Sequence, residues 1–474
     1  MEVAPGRKIR LAREVRGEAA CVAWRSPPGR ITVTLARRLA AALSVAAVTV
    51  LTACASAAPD TPASPAASVE VPNTPVGERV TWIIDRLEAE ADTTPGEWSR
   101  VLHEDFLAQV PAEQVAELVN RQLRPAAPFT VTAYQGTETQ AVATLAGALG
   151  DPFDLSLTID GASRITGMVF GPVATPWTPS TSLDEVERRL ADLPGEVTAL
   201  VLRGDEEALA IDADRPAPLA SVFKLYVLLA VADAVSTGDL SWDETLVLGD
   251  TDRSLPSGEL QNAPTGTEVS VRDAASAMIR ISDNTATDLL ISRLGRERVE
   301  AAVERSGHSD PSALAPFLST KELFTLGWGD ASIRAEWAAA DDAGKRAVLD
   351  RIDAAPLAVG VADVTTPVWQ DGFDWFASAN DVAAVHHVLQ QTQDAEVLGI
   401  LSENPGQGLD VGTWPYVAFK GGSSLGVLTG SWFARDDAGE ATVVLQLSDA
   451  DAQAVTGAMS DFFHLAEDAL RLAH

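Results

Sequence analysis

Between Val76 and Phe170 the apolar residues follow first a helical and then an alternating spacing. Three stretches, Val80–Glu90, Trp98–Gln109 and Ala112–Leu123, read as amphipathic helices, the last with Val115, Leu118, Val119 and Leu123 on one face. Four strand-like segments follow, Phe129–Tyr134, Gln140–Leu145, Phe153–Ile159 and Ile165–Phe170. Turn residues at Gly136, Gly150-Asp151-Pro152 and Asp160-Gly161 separate them. Helices followed by an antiparallel meander predict a small α+β domain over residues 73–171.

A proline-punctuated stretch, 172–181, then reads as a stiff linker. Beyond it, residues 182–474 open with a helix, Leu183–Leu193, and a strand, Val197–Arg203. They pass through a helical middle and return to strands Tyr416–Lys420, Val427–Ala434 and Thr442–Leu447 before a terminal helix, Asp451–Leu472. This order predicts an antiparallel sheet packed with helices, α/β in class, around an all-helical subregion. Two domains also suit a chain of 474 residues.

The N-terminal pattern differs from both. Arg37-Arg38 precede an unbroken small and apolar run, Leu39 to Val50, then Leu51-Thr52-Ala53-Cys54. The run is too short for a permanent membrane span and looks like a bacterial lipoprotein signal with its lipobox. The expectation is a leader over 1–53 and a lipidated Cys54 on an Ala/Ser/Pro-rich tether, 54–72. The protein would then be exported and held to the outer face of the cell membrane by lipid alone. Residues 1–32 are arginine-rich and long for the start of a signal, which predicts that translation begins nearer Val33. The net charge is −32, and with nine Lys/Arg and three Asp/Glu in the first 53 residues the remainder carries −38. Such a surface repels nucleic acid and excludes it as a partner. No His/Cys spacing suggests a metal, His386 and His387 being neighbours that face different ways on a helix, and no cofactor is expected.

Lysine is rare here, five against thirty arginines, and two of the five mark the candidate chemistry. Ser221-Val222-Phe223-Lys224 begins a helix that is apolar nearly all round, so Ser221 and Lys224 share a face one turn apart in a buried place. Burial disfavours the ammonium, which makes Lys224 a candidate base for the Ser221 hydroxyl; arginine cannot do this. The helix start also offers the Ser221 N–H as an oxyanion donor. Ser282-Asp283-Asn284 lies between two helices, where Asp283 is also a good N-cap. Lys420 ends a predicted strand, and Gly421-Gly422 after it permit close backbone approach.

Taken together and in this chain order, the three motifs resemble those of the penicillin-recognising serine hydrolases, class A β-lactamases and their peptidase relatives. The resemblance covers about the last 290 residues. It implies Ser221 as nucleophile, Lys224 as base, Ser282 as proton relay, Asn284 as holder of a substrate amide, and Lys420 as an electrostatic group that favours a substrate carboxylate and helps hold Lys224 neutral. Gly422 and Ser423 would line the substrate, the Ser423 N–H acting as second oxyanion donor. The first domain is similar, by its order of elements, to the cone-shaped steroid-isomerase and nuclear-transport-factor-like fold. The domain pair resembles a family of esterase-like proteins of clavulanic acid clusters.

Three departures from the family stand out. Gly421 replaces the threonine or serine that follows the lysine, and Thr429-Gly430-Ser431-Trp432 offers no carboxylate-binding arginine. The Glu-x-x-Leu-Asn segment, whose glutamate activates the deacylating water, has no counterpart in 312–320, which holds no acid. Glu322 beyond it reads as an ordinary helix-start glutamate. Residues 325–375, with Trp328, Trp337, Trp369 and Trp375, form an insertion that is either a lid or core packing. The expected reaction is acyl transfer through an acyl-serine on β-lactams or acyl esters. The alternatives are a cell-envelope protein that captures cell-wall peptide or β-lactam without turnover, and a D,D-peptidase.

Overall fold

A computed structural model describes residues 68–173, 177–406 and 414–474. The expected leader, Cys54 and most of the tether lie outside them. Helix Pro75–Glu88 starts where Thr74 accepts a hydrogen bond from the Gly77 N–H and Pro75 supplies a preset φ. The second predicted helix is divided into Pro95–Val101 and Glu104–Gln109. Leu102 bridges Ile165, and the His103 N–H donates to Ile165 O at 2.8 Å, so the sheet edge takes the backbone groups that would continue the helix. The third, Ala112–Leu118, ends in a π-helical turn, Val119–Leu123. In that turn Asn120 accepts from Thr93 N and donates to Thr93 O.

Strands β1 (Phe129–Gly136), β2 (Gln140–Gly147), β3 (Phe153–Ile159) and β4 (Ile165–Pro172) form an antiparallel meander in the order β1-β2-β3-β4. Its alternating residues Ala141, Ala143, Leu145, Leu155, Leu157 and Ile159 are buried against Val80, Ile83, Leu87 and Trp98 from the helices.

Past helix Leu183–Ala191 come β5 (Glu196–Arg203) and β6 (Glu206–Ile211), the second a strand that the apolar pattern did not show because its first residues are exposed acids. Short β7 (Ala217–Pro218) precedes the helix Lys224–Thr237, and β8 (Thr245–Val247) pairs with β9 (Glu268–Ser270). Next come the helices Val271–Arg280, Asn284–Leu294 and Arg296–Arg305, then Thr320–Trp328, Ala331–Ala339 and Asp342–Asp353. Strand β10 (Phe376–Ala377) pairs back onto β7. After helices Ala379–Gln391 and Ala395–Ser402, the strands β11 (Tyr416–Ser424), β12 (Val427–Arg435) and β13 (Glu440–Ser448) complete a five-stranded antiparallel sheet, β11-β12-β13-β5-β6.

Both faces of this sheet are covered, which is why β13 reads as a nearly continuous apolar run. Val443, Leu445 and Leu447 face Leu183, Val186 and the terminal helix Ala452–Ala473 through Phe462 and Leu465. Val444, between them, joins the other core with Leu200, Ala418 and Phe433. Helix Lys224–Thr237 runs through that second core, its residues Leu225 to Ala232 all buried, and Gly238 at φ 79° ends it. Together with the turn before it, the span Ala220–Thr237 is long and apolar enough to cross a membrane, yet it is mostly packed inside the protein. The insertion contributes to the same core: Trp375 is buried and stacked on Phe223 at 3.6 Å, and Trp328 and Trp337 pack against the cluster.

Candidate active site

The first motif enters through a strained turn. Ala220 has φ 43°, a left-handed conformation that costs a residue with a Cβ roughly 1–2 kcal/mol. A 3-10 turn, Ala220–Phe223, then leads into the Lys224 helix. Lys224 is fully buried, and its Nζ lies 3.3 Å from Ser221 Oγ, 3.0 Å from Ser282 Oγ, 2.6 Å from Ser282 O and 2.7 Å from Asn284 Oδ1. Burial pulls its pKa down to about 7, against the opposing influence of the Asp283 and Asp288 charges. A neutral amine has two N–H bonds and one lone pair. The Ser282 carbonyl and the Asn284 amide oxygen can only accept, so they take the two N–H bonds. The lone pair is left toward the two hydroxyls, which can donate.

The second motif is held from three sides. Ser282 has φ 58°, and the next residue, Asp283, caps helix Asn284–Leu294 through the Ala286 N–H at 2.8 Å. The other Asp283 oxygen accepts from Glu259 N at 2.7 Å and Leu260 N at 2.9 Å. The loop before them passes so close to Asp283 that a Cβ on Gly258, φ 108°, would overlap its carboxyl. Asp283 is thus the helix cap, while Ser282 and Asn284 face Lys224. Asn284 also donates to Leu255 O at 3.0 Å.

The third motif differs from expectation in two respects. Strand β11 does not end at Lys420 but continues to Ser424, with Gly421 opposite Gly430 and Gly422 opposite Thr429. A Cβ on Gly422 would meet Leu219 O and lie 2.8 Å from Ser221 N, so the glycine admits the backbone before and at Ser221 rather than ending the strand. Lys420 Nζ donates to Gly421 O at 2.6 Å and lies 3.1 Å from Ser282 Oγ. Burial, and after it the Lys224 charge, hold the Lys420 pKa well below the ordinary value. The expectation that a charged Lys420 keeps Lys224 neutral is thus corrected, since burial is the main cause for each lysine. Ser282 Oγ stands between both amines. Ser423 is exposed at the tip of the strand, opposite Leu428.

Carboxylate recognition is not restored elsewhere on these strands. Thr429 Oγ1 donates to Pro218 O, and Ser431 Oγ donates to Lys420 O while sharing a 3.0 Å bond with buried His386 Nε2. His386 and exposed His387 face apart as expected, and burial lowers His386 to about 4. No group of His, Cys, Asp or Glu among the described residues could hold a metal ion.

The loop 312–320 carries no acid into the site. Laid on Glu-x-x-Leu-Asn, the run Ala315-Pro316-Phe317-Leu318-Ser319 keeps only the leucine and puts exposed Ala315 where the glutamate stands. Glu322 is engaged otherwise. Fully buried, it caps Ser319 N at 2.6 Å and pairs with Arg296 at 2.6 and 3.0 Å. Asp288 holds the end of the loop through Thr320 N, Thr320 Oγ1 and Lys321 N, and burial raises it to about 7.

One residue at the site escaped sequence reasoning. Asp374 is buried, and a single oxygen, Oδ1, accepts from Leu219 N at 3.1 Å, Ala220 N at 2.8 Å and Trp375 N at 2.7 Å. The available signal was a lone acid inside Phe373-Asp374-Trp375-Phe376, since a carboxyl amid aromatics must find partners.

Residues 182–405 match the model of the Beta-lactamase enzyme family, which includes the first two motifs and stops before Lys420. Residues 71–165 match a model described as ORF 12 gene product N-terminal. A beta-lactamase of Amycolatopsis lactamdurans is 30% identical over 149 residues, 30% of this chain and 47% of that protein. The chain thus spans about half the length of that curated relative. Among solved structures, a beta-lactamase from Sphaerobacter thermophilus aligns at TM-score 0.45 with 22% identity, over 61% of this chain and 98% of its own. One from Chitinophaga pinensis aligns at 0.44 with 18% identity, over 62% and 98%.

Proposed function

Starting from a second domain of the beta-lactamase-like serine hydrolase kind, we propose that the protein is an acyl-serine hydrolase acting on β-lactams or acyl esters. The observation that carries this reading is the buried Lys224 amine, its pKa pulled down to about 7, with Nζ 3.3 Å from Ser221 Oγ.

In this reading Ser221 Oγ attacks the acyl carbon while its proton passes to Lys224 Nζ, forming the C–O bond and a tetrahedral oxyanion. The N–H groups of Ser221 and Ser423 stabilise that oxygen. Collapse breaks the bond to the leaving nitrogen or oxygen, which takes a proton through Ser282 Oγ from the paired amines. Asn284 and Gly422 line the acyl side. The acyl-serine then awaits water. With Ala315 in the glutamate's place, release is slow, which favours weak β-lactamase or esterase activity over rapid β-lactam clearance.

The family-model match of residues 71–165 next to the hydrolase domain supports the domain pair anticipated for the esterase-like proteins. The lipobox-like Leu51-Thr52-Ala53-Cys54 supports export with a lipid anchor. Replacing Cys54 by serine would then release the protein from membranes and end its labelling by a fatty-acid analogue.

Hydrolysis of a chromogenic cephalosporin and a p-nitrophenyl ester by the full-length chain, with Ser221→Ala beside it, tests the reading. Turnover lost in the variant is expected, and turnover unchanged in it would refute the assignment. The acid-free loop favours a second reading, capture of β-lactam or cell-wall peptide without turnover. Intact mass after penicillin treatment separates the two, because a permanent adduct indicates capture and a decaying one indicates an enzyme.

A further inference from the structure

The turn in front of Ser221 is held by one group from outside it. Leu219 belongs to no regular element, and Ala220, the first residue of the 3-10 turn, takes a φ of 43°. Their N–H groups both donate to Asp374 Oδ1, and Leu219 N donates also to Trp375 O at 2.8 Å. Two contacts fix Asp374 in turn. The Trp375 N–H shares the same oxygen, and the Trp375 ring is clamped between Phe223, 3.6 Å away, and Leu318 O, to which its Nε1 donates at 3.2 Å. Gly422 of β11 packs on the backbone of Leu219 and Ser221.

We propose that Asp374 is a positioning residue for the acyl-transfer site: its carboxyl holds the left-handed turn before Ser221 in place against Gly422 of β11, setting the spacing of the Ser221 and Ser423 oxyanion donors. The proposal rests on the acyl-serine reading above. Ser221 follows two residues that Asp374 holds directly, and Gly422, beside Ser423, packs on the backbone of Leu219 and Ser221. Rigid hydrogen-bond donors contribute to catalysis only when aimed at the place where charge develops. Without the acceptor, the buried Ala220 and Trp375 N–H groups lose their partner, Leu219 N keeps only Trp375 O, and alanine has no reason to remain at positive φ. The bonds converge on one oxygen, so an amide oxygen serves as well as a carboxyl oxygen and negative charge is not required.

The test compares Asp374→Asn and Asp374→Leu with the unaltered full-length chain. The readings are the rate of Ser221 acylation by a fluorescent penicillin across pH, and amide hydrogen exchange of the peptide containing Leu219 and Ala220. Asp374→Asn should acylate within about threefold of the parent and keep its exchange protection. Asp374→Leu should acylate about a hundredfold more slowly, the effect of a reacting geometry displaced by about 1 Å. It should also lose protection at Leu219 and Ala220 while its pH midpoint stays that of the parent. Parent-like acylation and protection in folded Asp374→Leu overturn the proposal. So does an Asp374→Asn that slows strongly with a displaced pH midpoint, since the carboxyl would then act by charge; this arm decides alone if the leucine variant does not fold. A parent chain that no penicillin acylates refutes the acyl-serine reading instead, and hydrogen exchange still decides whether Asp374 holds the turn.

Discussion

At position 224 a fully buried amine is enclosed by two obligate acceptors and two hydroxyls. Burial brings its pKa to about 7, so the protonated form dominates below neutrality and the free base above it. The acylation rate should therefore rise with pH through a midpoint near 7, as stopped-flow labelling across pH 5–9 would record. Lys224→Arg keeps positive charge at every pH and cannot accept the proton. We expect it to acylate about 10²–10⁴-fold more slowly at all pH values, the usual worth of a positioned base. Lys420 bonds Ser282 Oγ and Gly421 O rather than Ser221, so its replacement should disturb leaving-group protonation more than nucleophile activation.

Two elements bring these residues together, and each has one point where the fit is testable. In β11, Gly422 leaves no room for a Cβ beside Leu219 O and Ser221 N. Gly422→Ala should push the strand from the nucleophile, lower stability by about 1–3 kcal/mol as overpacking does, and lose most acylation. Urea unfolding and penicillin labelling of one sample would check both. Under the loop 312–320, the buried Glu322–Arg296 pair holds the start of helix Thr320–Trp328. Arg296→Ala leaves that carboxylate without its cation and should cost about 3–5 kcal/mol in urea unfolding. Ala315→Glu, by contrast, adds a carboxylate at an exposed loop position. It should leave the acylation rate nearly unchanged and shorten the lifetime of the penicilloyl adduct followed by intact mass.

Across the whole molecule, Val76–Phe170 and the two clusters flanking the five-stranded sheet form separate hydrophobic cores. Units with their own cores unfold independently unless a large interface couples them. Calorimetry of the full-length chain is therefore expected to show two transitions, with a Ser221 ligand raising only one. The strong negative charge acts at this scale too: it opposes association with nucleic acid and anionic lipid whatever the site does.

The sequence by itself determined the order and type of most elements, the three motifs and the absence of an acid in the loop. These are local properties: side-chain period, the three-residue step from Ser221 to Lys224, and residue identity. The alternation in β1 to β4 and β13 was legible for the same reason. The tertiary structure alone decided what depends on residues far apart in the chain. Ile165 breaks a helix 62 residues upstream by taking the N–H of His103. Lys224 receives its acceptors from residues 58 and 60 positions on, and burial, with another amine beside it, holds the Lys420 pKa well below its ordinary value. Asp374 meets the turn at Ala220 across 154 residues. Burial and hydrogen-bond partnership arise only when the chain closes on itself, and they set both the protonation state of an amine and the direction of a nucleophile.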